Sequence, residues 1–126
     1  MTLAGHLRVW IEDHPPLLEL RLAGALDLGT APQLKQAVDA YARTGQTIVI
    51  DLREVEFVDS MGLAALVRVR HRALSRGAVL RLIAPPAPAW KVFTLTGLDR
   101  VFDWVEGEDV SSTRAAPPPA PAAPRP

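Results

Sequence analysis

The run Thr47-Ile48-Val49-Ile50-Asp51-Leu52 constrains the fold more than any other stretch of this chain. β-branched and aliphatic residues succeed one another almost without polar interruption, the pattern of a strand covered on both faces inside a parallel sheet. The flanking segments fall into place around it. His6–Glu12 alternates and predicts a strand, Leu17–Leu22 predicts a second, and His14-Pro15-Pro16 is the turn between them. Gly24–Gly29 reads as a loop holding Asp27. Thr30-Ala31-Pro32 marks a helix start, with Thr30 as N-cap and a proline in the first turn, and Gly45 ends that helix beyond Ala37, Val38 and Tyr41.

After the central strand, a second helix is expected to begin at Asp59 or Ser60 and to run to about Arg76, closed by Gly77. Val79–Ile83 predicts a further strand, Trp90–Leu95 a short helix behind the Pro85, Pro86 and Pro88 loop, and Val101–Val105 a last short strand. Strands alternating with helices of this length imply an α/β layer fold, a single mixed and largely parallel sheet of about four to five strands packed with about three to four helices.

A chain of 126 residues, 48% of them hydrophobic, suits one core. The folded part is expected over residues 1–108. From Ser111 the sequence is dominated by proline and alanine, which lack donors or bury little surface, so 109–126 reads as a disordered Pro/Ala-rich tail. Such a tail is either a docking ligand or only a tail. The 14 basic and 14 acidic residues balance, so the chain lacks the basic footprint of a nucleic-acid binder, and it has no polybasic segment for a membrane surface. No window approaches the roughly 20 apolar residues of a membrane span, and Met1–Trp10 lacks the pattern of a signal peptide. A cytoplasmic location is expected. The absence of cysteine removes disulfides and thiol catalysis. The histidines are His6, His14 and His71, none near Ser60 in sequence, and neither a metal-ligand spacing nor a phosphate-binding Gly-rich loop is present. No enzymatic activity and no cofactor are expected.

The turn Phe57-Val58-Asp59-Ser60-Met61-Gly62-Leu63 carries the functional signal. It comes after the central strand, and ligands and partners of open α/β sheets gather at the carboxyl ends of strands. A helix start leaves unbonded N–H groups and partial positive charge, so Ser60 is either an ordinary cap neighbour or a residue placed to receive a phosphate. Gly62 implies close approach by something, either a partner or the loop carrying Asp27. Along the second helix Leu63, Leu66, Val67, Val69, Ala73 and Leu74 share an apolar face, opposite Arg68, His71, Arg72, Ser75 and Arg76. That basic face is either solvated or attracts an acidic partner. Arg70 projects into the apolar stripe, where it either runs its stem out to water or pairs with a buried carboxylate.

Gly24-Ala25-Leu26-Asp27-Leu28-Gly29-Thr30-Ala31-Pro32 resembles the Gly-x-Leu-Asp-x-x-Thr-Ala-Pro stretch of STAS domains in anti-sigma factor antagonists. Val49–Leu52 with Phe57–Leu63 is similar to that family's signature strand and phosphorylation loop, and Leu95-Thr96-Gly97-Leu98-Asp99 with Val101-Phe102 to its C-terminal pattern. The resemblance implies a STAS fold and a partner-switching role. Ser60 would be the phosphoacceptor of an anti-sigma factor with serine kinase activity, reversed by a phosphatase of the PP2C type. Asp27, Thr30, Asp59, Met61, Gly62 and Leu63 would form or flank the partner-binding surface. The sequence departs from the pattern at Met61, where a small or hydroxyl residue is commoner, and at Arg70, where an aliphatic residue is usual. STAS domains also serve as non-catalytic binding modules in signalling scaffolds or transporter complexes, and that remains the alternative.

Overall fold

A computed structural model describes residues 6–107. The alternating segment forms β1 (Leu7–His14), which turns at Pro15-Pro16, a cis peptide, into β2 (Leu17–Leu26). Then come α1 (Ala31–Tyr41), β3 (Thr47–Val58), α2 (Ser60–Ser75), β4 (Val79–Ile83), α3 (Ala87–Thr96), a single 3-10 turn at Leu98–Arg100, and β5 (Asp103–Val105). The five strands form one sheet in the order β1-β2-β3-β4-β5, antiparallel between β1 and β2 and parallel elsewhere. The expected mixed, largely parallel sheet is present, with three α-helices among the described residues. The boundary at 108 and the 109–126 tail lie outside the described residues.

Each parallel crossover advances by one strand in the same direction. Right-handed connections then place all the helices on one face of the sheet. The core agrees: Leu18, Leu20, Ile48, Ile50, Leu80, Leu82 and Trp104 from the strands bury against Leu34, Leu66 and Phe93 from the helices. Trp90, Phe93, Phe102 and Trp104 close its β5 end as a set of edge-on and stacked rings. The opposite face has a small separate cluster of Leu17, Val49 and Ile83, to which no described helix contributes.

Two strands run further than the sequence suggests. Gly24, Ala25 and Leu26 belong to β2 rather than to a loop, and β3 continues through Arg53–Val58. The ladder between them survives two register shifts, one of them at Gly24, whose φ of 110° suits a bulge that glycine alone adopts easily. A side chain at Gly24 would also overlap the His6 carbonyl oxygen. These extensions bring the ends of β2 and β3 level, at Leu26 and Val58. Within α2, Leu74 is exposed rather than part of the apolar face, and Arg70 is only half-buried.

Candidate functional site

Leu26 and Val58 are register partners in adjacent parallel strands, so the residues next in the chain, Asp27 and Asp59, emerge together at the carboxyl edge of the sheet. Asp59 turns the chain into α2. Its backbone is extended, its N–H donates to the Leu26 carbonyl (3.3 Å), and its carboxylate Oδ1 accepts the Gly62 N–H at 2.8 Å. Its carbonyl accepts the Leu63 N–H at 3.0 Å. The first-turn N–H groups left without an intrahelical acceptor or an Asp59 bond are those of Ser60 and Met61. Ser60 itself is exposed.

The neighbour implied by Gly62 is the end of β2. A Cβ at Gly62 would overlap the Leu26 carbonyl oxygen and come within 2.7 Å of its carbonyl carbon. Leu63, next along, is 1% exposed and belongs to the core. Gly62 and Leu63 therefore hold the turn from beneath, and the outward surface at this point is Ser60 and Met61, the latter 40% exposed.

The Asp27 turn is built by a second interlock. Thr30 is the residue before α1, but its side chain makes no N-cap hydrogen bond to the helix. Its Oγ1 accepts the Asp27 N–H (3.0 Å) and donates to the Ala25 carbonyl (2.8 Å), while Asp27 Oδ1 accepts the Thr30 N–H (3.1 Å). This is the reciprocal arrangement of a capping box, with Asp27 in the capping role and Thr30 three residues on. The Asp27 carbonyl continues it by accepting the Thr30 and Ala31 N–H groups. The capping role read for Thr30 thus belongs to Asp27, because the turn at 28–30 already winds towards the helix. Thr30 is fully buried and Asp27 nearly so. Thr30→Val is expected to cost about 1–3 kcal/mol, since it leaves the buried Asp27 N–H without an acceptor. Urea unfolding of the variant measures it.

Sequence reasoning missed Leu28. It stands 64% exposed between Asp27 and Gly29, an apolar residue in a polar turn, which is the signal that was there to be read. With Pro32, Met61 and Ala65 it lines an open groove of about 210 Å³ between α1 and α2, rimmed by Lys35 and Arg68. The basic face of α2 is partly committed. Arg72 donates from Nε and Nη2 to Asp39 Oδ1 on α1, and Lys35 bonds Asp39 Oδ2 at 2.9 Å. The Lys35 hydrogen bond first, and the Arg72 charge after it, hold the Asp39 carboxyl below its usual range. Exposed pairs of this kind stabilise by only about 0–1 kcal/mol. Among the described residues no group of three or more His, Cys, Asp or Glu forms a cluster suited to a metal, and no helix is long and apolar enough to cross a membrane.

A family model described as "Mlab, STAS domain" matches residues 11–106. The anti-sigma-B factor antagonist of Listeria monocytogenes is 33% identical over 94 residues, covering 72% of this chain and 82% of the relative. The anti-sigma-F factor antagonist RsfB of Mycobacterium tuberculosis is 29% identical over 103 residues, 81% of this chain and 84% of its own length. Among solved structures, an anti-sigma factor antagonist from Mycobacterium paratuberculosis superposes with a TM-score of 0.75 at 27% identity, over 92% of this chain and 100% of that one. The five-stranded mixed sheet with three helices is the fold of that antagonist, the matched residues span β1 to β5, and the chain belongs to the STAS-domain family.

Proposed function

We propose that this chain is an anti-sigma factor antagonist, a non-catalytic cytoplasmic binding protein that captures an anti-sigma factor with serine kinase activity and is switched off by phosphorylation at Ser60. A phosphatase of the PP2C type acting on the phosphoserine returns it to the binding form. The observation that carries this reading is the contrast at one turn. Ser60 is exposed on the first turn of α2, while Gly62 and Leu63, which hold that turn, are buried, as are Asp27 and Thr30 in the neighbouring turn after β2.

That contrast suits a charge switch. A phosphate adds roughly −1.5 to −2 charges and three acceptor oxygens. At Ser60 it meets a helix N-terminus, which tolerates negative charge, so the fold need not change. The surface does change: Met61, next to Ser60 in the chain, offers apolar contact in the groove it shares with Leu28, and a dianion at its edge has to be desolvated on docking. The relatives named as antagonists of anti-sigma factors support the choice of an anti-sigma factor as the partner.

Intact-mass spectrometry after incubation with ATP and each candidate anti-sigma kinase tests the proposal. One added phosphate is expected on the wild type and none on Ser60→Ala. Phosphate on the alanine variant at wild-type stoichiometry would refute Ser60 as acceptor. No phosphate from any candidate would favour a constitutive binding module in a scaffold or transporter complex.

A further inference from the structure

The helix-free face of the sheet is buried at positions that no described helix covers. Leu17, Val49 and Ile83 pack there with Val105. Arg81 lies among them, beside Val49 on β3 and Asp103 on β5 in cross-strand register. It is 5% exposed, and its buried Nε and Nη1 have no hydrogen-bond partner among the described residues. A guanidinium so placed calls for an anionic partner, because a buried charge without hydrogen bonds is strongly unfavourable.

The same face carries a second docking feature. Trp10 on β1 sits between Arg8 and Arg21, whose guanidinium carbons lie 5.5 and 4.6 Å from its ring centroid. It borders a hollow of about 270 Å³ that runs past Arg21 and Val49 to Arg53 on β3 and is also lined by the carboxylates of Glu12, Glu19 and Asp51, so an acidic segment is matched to Arg81 and not to the hollow as a whole. The last described residue, Gly107, packs against the Arg53 guanidinium, so closely that a Cβ there would overlap it. The described chain therefore ends beside Arg53, one of the residues that line this hollow.

The residues after Gly107 match the needs of this face. Glu108 and Asp109 come first, and Pro117-Pro118-Pro119 with Pro121 come later. Proline-rich segments dock on aromatic surfaces in a preformed extended conformation. From β3 to Trp10 is two strand spacings, about 10 Å, and each residue of polyproline helix spans about 3.1 Å. Residues 108–126 reach Trp10 with chain to spare. We propose that residues 108–126 dock back across the helix-free face, Glu108 and Asp109 giving Arg81 its anionic partner and the proline run packing on Trp10.

The test compares the full chain with one stopped after Gly107. Trp90 and Trp104 are buried, so acrylamide quenching of tryptophan fluorescence reports chiefly on Trp10. The shortened chain is expected to quench more readily and to melt several degrees lower, and a synthetic 108–126 peptide added in trans should restore the protection. A second variant, Trp10→Ala in the full chain, should be cleaved by trypsin after Arg114 several-fold faster than the wild type. Identical quenching and melting of the two chains, or an unchanged cleavage rate, overturns the proposal. So does a full-length dimer in sedimentation whose dissociation alone exposes Trp10, since the cover would then be a second copy.

Discussion

Ser60→Asp is expected to fold with a melting temperature close to that of the wild type and to bind its anti-sigma factor at least about tenfold more weakly, a loss of about 1.4 kcal/mol or more. The two halves of this expectation have separate causes. Asp59 already caps α2 through the Gly62 N–H, so a carboxylate one residue later has no cap to replace. It gains instead from the partial positive charge of the first turn. On the partner side, Ser60 adjoins exposed Met61, so the new charge must be desolvated against an apolar contact or meet an acidic surface, either of which is costly. Calorimetric titration with the anti-sigma factor, alongside thermal melts, separates the two effects. Wild-type affinity would remove charge from the switch, and a lowered melting temperature would mean that the turn is less tolerant than its geometry implies.

Gly62→Val is expected to damage the fold rather than the surface. Its Cβ would occupy the space of the Leu26 carbonyl oxygen, and that carbonyl also accepts the Asp59 N–H. Relief requires α2 to lift from the end of β2, which would break the Asp59 bond and disturb buried Leu63. Overpacking of this kind costs about 3 kcal/mol, the upper end of its usual range. That is a large part of the roughly 5–15 kcal/mol that holds a domain together. For a domain of about 100 residues it corresponds to a fall in melting temperature on the order of 10 °C. Thermal unfolding monitored by circular dichroism measures it. A melting temperature within a degree or two of wild type would mean that Leu26 and α2 separate easily, and the turn would then not be a rigid platform.

The sequence made some of this plain and hid the rest for identifiable reasons. Thr47–Leu52 announced the central strand because β-branched residues at consecutive positions have few other uses. The extension of β3 to Val58 was obscured by Arg53, Glu54 and Glu56, which face outward where the strand runs beyond β4. Gly24 concealed the last residues of β2, because a bulge glycine and a loop glycine look alike in one dimension. The position of Ser60 at a helix start was readable from local pattern alone. The burial of Thr30, Gly62 and Leu63 was not, since it depends on β2 and β3 ending level, a property of the ladder and not of either segment. The reading of Thr47–Leu52 as covered on both faces needed the helices to divide between the faces. The one-directional strand order places them together, and Val49 is buried nonetheless.

The separation between buried supports and exposed neighbours at the Ser60 turn bears on how such domains diversify. Gly62 and Leu63 hold the Ser60 turn and Asp27 and Thr30 the neighbouring one, while Leu28 and Met61 stand exposed on them. Changes at the exposed pair leave the buried residues untouched, so a duplicated copy can alter its partner preference without first acquiring extra stability. A cell carrying several such copies could insulate parallel pathways from one another through two surface positions, while keeping the same exposed serine in the same frame.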